Sequence, residues 1–261
     1  MISGSFDILG NISIVKFPDG TKLSDKKSFA KDLMNKNRSI KTVLEKIGKF
    51  KGRLRKQHTK YLVGEKTKEA LYRENGSIFR FNIDDAYFSP RLSNERLEVA
   101  NKIKKGDKVL VMFAGVAPYS IVIAKRSSAR IVYSNEINKK ANDYAQLNIN
   151  LNKLKDKIIL VPGDIKRVAS QLRNKKEFFD VIVMPRPQLK DSFLKEAFNL
   201  SKKNTRIYYY DFCKEDDISL IKNKIEDEAK KSKKKIKILN IKKAGEISPY
   251  KYRIRIDFKI V

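Results

Sequence analysis

From residue 108 to residue 212 the chain alternates apolar strands with helical stretches so regularly that few folds remain open to it. "KVLVMFAG", "ARIVYSNEI", "KIILVPGD", "FDVIVMP" and "RIYYYDF" read as strands. Between them "PYSIVIAKRS", "NKKANDYAQLNINLNK", "IKRVASQLRNK" and residues 191–202 read as helices. Parallel neighbours need crossover helices, so five strands joined this way give a doubly wound parallel α/β sheet. The C-terminal "KIKILNIKKAG" and "YKYRIRIDFKIV" have only a loop between them, which finishes the sheet antiparallel. Ahead of the first strand, Ser93 fits the N-cap of a helix through Leu97, Ala100 and Ile103.

Upstream the texture differs. Residues 8–17 read as one strand, 24–35 as an amphipathic helix with Phe29 and Leu33 on one face, and 41–47 as a further helical turn or two. In "EALYRENGSIFRFNI" the pair Asn75-Gly76 separates two alternating runs, the strongest short-range hairpin signal. The expected organisation is a small α+β domain over residues 1–82 and the α/β domain over residues 83–261.

Charge narrows the partner. The 59 Lys and Arg against 30 Asp and Glu give a formal net charge of +29, more than solubility requires and suited to a polyanion such as nucleic acid. A lysine-rich or heat-adapted composition accounts for part of the excess. The run Lys230 to Lys235 reads as a solvated helix end. With one cysteine, Cys213, and one histidine, His58, the chain lacks the ligands for an internal disulfide, a protein-built zinc site or a Ser-His-Asp triad. No metal is expected. No long uncharged apolar window and no leader-like N-terminus is present, so a cytoplasmic protein with no membrane partner is expected.

Ligands of such sheets bind beyond the carboxyl ends of the strands. After the first strand the turn Phe113-Ala114-Gly115-Val116-Ala117-Pro118 lacks the G-x-G-x-x-G spacing that cradles a diphosphate. After the second comes Glu136, 21 residues beyond Gly115, where an acid can accept ribose hydroxyls. After the third comes Asp164, which can take an adenine amino group. Singly, Glu136 reads as a surface or capping acid and Asp164 as an N-cap. Together at three successive strand ends they describe a nucleoside pocket without a phosphate cradle, which suits S-adenosylmethionine.

This architecture resembles the class I (Rossmann-like) methyltransferases. "RENGSIFRFNIDDAYFSPRLSNER", "MFAGVAPYSI", the strand ending in "MPRP" and "SPYKYRIRIDFKI" resemble, more closely, the archaeal and eukaryotic tRNA (guanine-37 N1) methyltransferase family over essentially the whole chain. The resemblance implies S-adenosylmethionine as cofactor, tRNA as substrate and an N-terminal RNA-binding part. It implies Glu95 as general base for the guanine N1 proton, Arg55 as the group on guanine O6, and Tyr87 as an aromatic lining the pocket. Cofactor contacts are implied at Arg96, Phe113, Gly115, Glu136, Ile137, Asp164, Ile165 and Pro185. From the residues alone, Glu95 reads instead as an acid favoured in a first helical turn. Tyr87, Phe88 and Tyr119 are candidates to stack the target base, each equally suited to the core.

The chain departs from the family pattern in several places. Val111 stands where the first strand usually ends in an acid, and Ala117 replaces the turn's second glycine. The chain starts at what looks like the family's second domain, so less dependence on overall tRNA shape is expected. After the fourth strand the family has Asn-Leu-Pro; here Pro185, Arg186 and Pro187 stand there, with Pro185 and Pro187 as catalytic-loop positions and Arg186 as a possible contact to RNA or base. Proline for asparagine resembles the archaeal subgroup that also methylates 4-demethylwyosine at C7 to give isowyosine. Both activities are expected, from a monomer acting on position 37 of the anticodon loop. A guanine-only enzyme and a non-catalytic tRNA-binding relative are the competing expectations.

Overall fold

The computed structural model describes residues 5–51, 56–214, 217–248 and 250–261, and the chain forms two compact units, residues 1–90 and 91–261.

In the first unit, β1 (Ser5–Leu9) and β2 (Ile12–Lys16) are antiparallel, α1 (Leu23–Lys36) crosses over, and β3 (Thr42–Lys51) returns parallel to β2 and pairs with β4 (Lys56–Gly64). The sheet order is β1-β2-β3-β4. Val15, Phe17, Ala30, Ile40, Val43 and Leu62 close the core between helix and sheet. Two expectations are corrected here. Residues 8–17 are a hairpin, because Gly10 takes φ +60° and turns the chain at Gly10-Asn11. Residues 42–47 are strand, with Lys41 just ahead of it: Val43 and Leu44 are both fully buried in an interior strand, and the β-branched Thr42 and Val43 fit that pleat.

The Asn75-Gly76 hairpin forms as read. β5 (Glu69–Glu74) pairs with β6 (Ser77–Asn82), and Asn75 and Gly76 both take positive φ, as a two-residue turn requires. Asn11 ties the turn before β2 to β5, accepting from Leu71 N at 2.7 Å.

The second unit carries α2 (Ser93–Asn101), β7 (Lys108–Val111), α3 (Pro118–Arg126), β8 (Ile131–Glu136), α4 (Lys139–Leu151), β9 (Ile158–Pro162), α5 (Ile165–Asn174), β10 (Phe179–Met184), α6 (Leu194–Asn199), β11 (Ser201–Lys214), α7 (Ile218–Lys231), β12 (Ile236–Ser248) and β13 (Lys251–Ile260). Its seven-stranded sheet runs β12-β13-β11-β10-β7-β8-β9, parallel except for β13, which is antiparallel to both neighbours. Strands β7 and β10 are central and covered on both faces, which is why their sequences are nearly continuous apolar runs. Chain order reverses between them, so their carboxyl ends flank the crevice where such folds bind ligands.

Ser93 is the first helical residue rather than the N-cap, since a 3-10 turn at Pro90–Leu92 leads into α2. The helix expected over 191–202 is only α6. Asp191 accepts Phe193 N at 3.0 Å and Phe193 adopts φ 57°, which holds the chain out of a helix until Leu194. The lysine run closes α7, with Lys230 and Lys231 in its last turn.

Candidate active site

Beyond β7 the chain turns through Phe113, Gly115 and Ala117, at φ 58°, 58° and 68°. Left-handed geometry costs a non-glycine residue free energy, so Ala117 accounts physically for a glycine at that position in the pattern it departs from. Glu136, at the end of β8, accepts Gly115 N at 2.8 Å through Oε2 and Asn138 N at 2.7 Å through Oε1. Burial raises its pKa, and the amides of Asn138, Gly115 and Ile137 hold the rise back. A carboxylate has about four lone-pair sites, so two aimed amides leave acceptors for hydroxyl groups. The buried Asn135 amide donates to Val161 O at 2.8 Å and Gly163 O at 3.0 Å, closing the ends of β8 and β9 together. Asp164 caps α5, accepting Lys166 N at 3.0 Å, with Ile165 buried and Ile137 partly buried beside these acids. Hydroxyl acceptors with no run of glycines for a diphosphate fit the nucleoside part of S-adenosylmethionine. Among the described residues no group of three or more His, Cys, Asp and Glu could hold a metal.

Glu95 lies in the first turn of α2 with only 5% of its surface exposed. Its Oε1 accepts Tyr210 Oη–H at 2.7 Å and pairs with Arg255 Nη1; Lys242 Nζ stands 3.4 Å from Oε2. Arg255 is fully buried and also holds Glu98 at 2.6 Å and Asp257 at 2.7 Å, while Lys102 reaches Asp257 at 3.3 Å. Three carboxylates thus meet three cations, and the charge of Arg255 is shared rather than centred on Glu95. Burial alone would raise the Glu98 carboxyl, but Lys242 and Arg255 bring it down to about 2. Burial lifts the Tyr210 phenol far above its usual value, so it stays protonated and keeps donating.

Sequence reasoning missed Tyr210, Arg255, Glu98 and Lys242. In "RIRID" the alternation sets Arg255 and Asp257 opposite Ile254 and Ile256, which reads as a solvent face; here both faces are buried.

Strand β10 delivers Pro185 and Pro187, both partly buried. Met184 pairs with Tyr209, so one residue further along each strand come Pro185 and Tyr210, the donor to Glu95. The carboxyl ends of β7, β8, β10 and β11 therefore bring Phe113, Gly115, Glu136, Pro185 and Glu95 to one edge of the sheet. Arg186, read as a possible contact to RNA or base, is instead 2% exposed, and its guanidinium turns inward to Asp211, Leu189 O and Asp191 O. Arg96 is 1% exposed, its guanidinium 5.9 Å from the Tyr119 ring centre.

Two of the three stacking candidates take the core alternative that each also fitted. Phe88 packs inside the first unit on Tyr72, Phe79 and Phe81, and Tyr119 is buried edge-on to Tyr210. Tyr87 is partly buried in the first unit, and Arg55 lies outside the described residues.

The family described as TRM5/TYW2 methyltransferase domain matches residues 70–239, and that described as TYW2 N-terminal domain matches residues 1–67. The chain is 32% identical over 257 residues to the tRNA (guanine(37)-N(1))-methyltransferase Trm5b of Pyrococcus abyssi, across 98% of this chain and 74% of that protein. It is 31% identical to the tRNA (guanine(37)-N(1))/4-demethylwyosine(37)-methyltransferase Taw22 of Nanoarchaeum equitans, across 98% of this chain and 100% of that one. The solved complex of aTrm5 with tRNALeu matches with a TM-score of 0.85 at 29% identity, over 100% of this chain and 73% of that chain.

Proposed function

The chain belongs to the TRM5/TYW2 methyltransferase family, and on that premise we propose that it is an S-adenosylmethionine-dependent tRNA methyltransferase acting at position 37, on N1 of guanosine and on C7 of 4-demethylwyosine. The observation that carries this reading is the buried carboxylate of Glu95, tied through Tyr210 to the same sheet edge that presents Glu136, Gly115 and Pro185. Residues 83–261 serve catalysis; residues 1–82, and the chain's net charge of +29, serve the grip on tRNA. Cytoplasmic tRNA and a monomeric enzyme complete the reading. No helix of the described residues is long and apolar enough to cross a membrane.

S-adenosylmethionine supplies an electrophilic methyl group. Glu136 would accept its ribose hydroxyls and Asp164 its adenine amino group, with Phe113, Gly115, Ile137, Ile165, Arg96 and Pro185 as further contacts. Guanine N1 carries a proton and is a poor nucleophile until the proton leaves. Glu95 takes that proton, oriented through Oε1 by Tyr210 and Arg255, with Oε2, 3.4 Å from Lys242 Nζ, as the working oxygen. The resemblance assigns Arg55 to the negative charge that then grows on O6 and Tyr87 to the aromatic contacts of the target base. C7 of 4-demethylwyosine is a carbon nucleophile that attacks before any proton is removed; its own C7–H proton leaves to solvent after the methyl is bound, which restores the ring. Proline at 185 in place of asparagine removes a side-chain amide that only guanine would use, and Pro187 keeps the loop stiff.

Incubation of unmodified tRNA with labelled S-adenosylmethionine, followed by nuclease mapping of the labelled nucleotide, tests the position. Label at any other nucleotide refutes it.

A further inference from the structure

We propose that Arg186 is a positioning residue for the target base: from inside the protein it fixes the shape of the loop between β10 and α6, and so sets which base that loop admits. The proposal rests on the function proposed above and deepens it.

The loop has few donors of its own where it leaves the sheet, because Pro185 and Pro187 carry no N–H. Arg186 supplies them. Its Nη2 donates to Leu189 O at 2.6 Å and Asp191 O at 2.9 Å, and its Nη1 pairs with Asp211 Oδ1 at 2.7 Å. Nε finds no acceptor among the described residues. Asp211 is in turn fixed by Tyr209 Oη at 2.8 Å and by Phe212 N at 2.9 Å, with Lys224 3.6 Å away. One planar guanidinium therefore ties two loop carbonyls to β11, a geometry that lysine copies in part and leucine not at all.

The far end of the loop is tied as well. Asp191 pairs with Lys166 at 2.6 Å, two residues after Asp164, and the Phe193 ring stands edge-on to Phe113 at 5.0 Å. The loop thus spans from β11 to the turn that presents Gly115. On β11, Tyr210 serves Glu95 and the next residue, Asp211, serves Arg186. Successive residues of one strand point to opposite faces, so Tyr210 holds the candidate base on one face and Asp211 holds the loop on the other; β11 is their common anchor, and a shift of the loop relative to β11 changes its distance to Glu95.

The test compares the full-length wild type with Arg186→Leu, Arg186→Lys and Asp211→Asn, measuring kcat and KM on tRNAs with guanosine or 4-demethylwyosine at position 37. S-adenosylmethionine affinity and tRNA affinity are measured alongside by titration. Misplaced reacting groups act on kcat, so Arg186→Leu is expected to lose roughly 10- to 100-fold in kcat and to change the ratio between the two bases, with both affinities within about threefold of wild type. Asp211→Asn is expected to do the same more weakly, and Arg186→Lys to recover part of the loss. Should Arg186→Leu not fold, Arg186→Lys carries the test, with a smaller fall in kcat and the same change in ratio. Wild-type kcat and ratio in the folded variants would overturn the proposal, as would lost tRNA affinity with kcat intact, which marks an RNA contact. A wild type active on guanosine alone defeats the two-base reading, and Arg186 is then judged on kcat with that tRNA.

Discussion

Tyr210 donates its phenolic hydrogen to Glu95 at 2.7 Å, joining residues 115 positions apart in the chain. The bond links a helix ahead of the sheet to β11, the strand beside β10 and the loop that follows it. It gives the carboxylate a fixed direction in a site where Arg255 holds the same oxygen.

If Glu95 removes the N1 proton, its loss should separate the two reactions. Glu95→Gln keeps an acceptor for Tyr210 and Arg255 but cannot take a proton. We expect guanosine methylation to fall by about 10²- to 10⁴-fold and 4-demethylwyosine methylation to fall much less. Single-turnover rates on the two tRNAs measure this, and equal losses would assign Glu95 to structure.

Glu98 sets a pH window for stability. Its carboxyl sits at about 2 in the folded chain against an ordinary 4.5, so the unfolded state binds the proton first. The stabilisation is fully present above pH 4.5 and is lost as pH falls from there towards 2. Thermal unfolding followed across that window should show a falling midpoint, and Glu98→Gln should flatten the curve.

Glu136 titrates in the opposite sense. Burial raises its pKa, so it loses its charge at a higher pH than an ordinary carboxyl. S-adenosylmethionine affinity, read by isothermal titration, is expected to weaken on acidification before ordinary carboxylates titrate. Glu136→Gln should lower affinity by roughly tenfold at neutral pH, the worth of about one charge-assisted hydrogen bond, and should remove the pH dependence.

Gly10 is tied to its place by geometry. A Cβ there would lie 1.8 Å from Leu71 O, at a φ of +60°. Gly10→Ala should destabilise the first unit by about 2–3 kcal/mol, read from urea unfolding.

The sheet was legible because β7 and β10 are buried on both faces and so carry unbroken apolar runs. The first unit was less so. In "TVLEKIG" the apolar residues Val43, Leu44 and Ile47 fit a helical face as well as a strand, and the periodicity alone does not separate them. Gly10-Asn11 is a two-residue hairpin signal that breaks the single strand expected over 8–17. The places of Glu136 and Asp164 at the ends of β8 and β9 could be read from the sequence. The cluster around Glu95 could not, since Lys242 and Arg255, cross-strand partners in the C-terminal hairpin, meet Glu95 and Glu98 of α2 from 147 and 160 residues beyond Glu95. Arg186 misled for the opposite reason: an arginine between two prolines reads as exposed, yet its neighbours' carbonyls draw it inward.

The most direct measurement is nucleoside analysis after incubation with labelled S-adenosylmethionine and two tRNAs, one with guanosine and one with 4-demethylwyosine at position 37. The expected result is 1-methylguanosine from the first and isowyosine from the second. Label in 1-methylguanosine alone would contradict action on both bases, and label in neither would contradict methylation at position 37 itself.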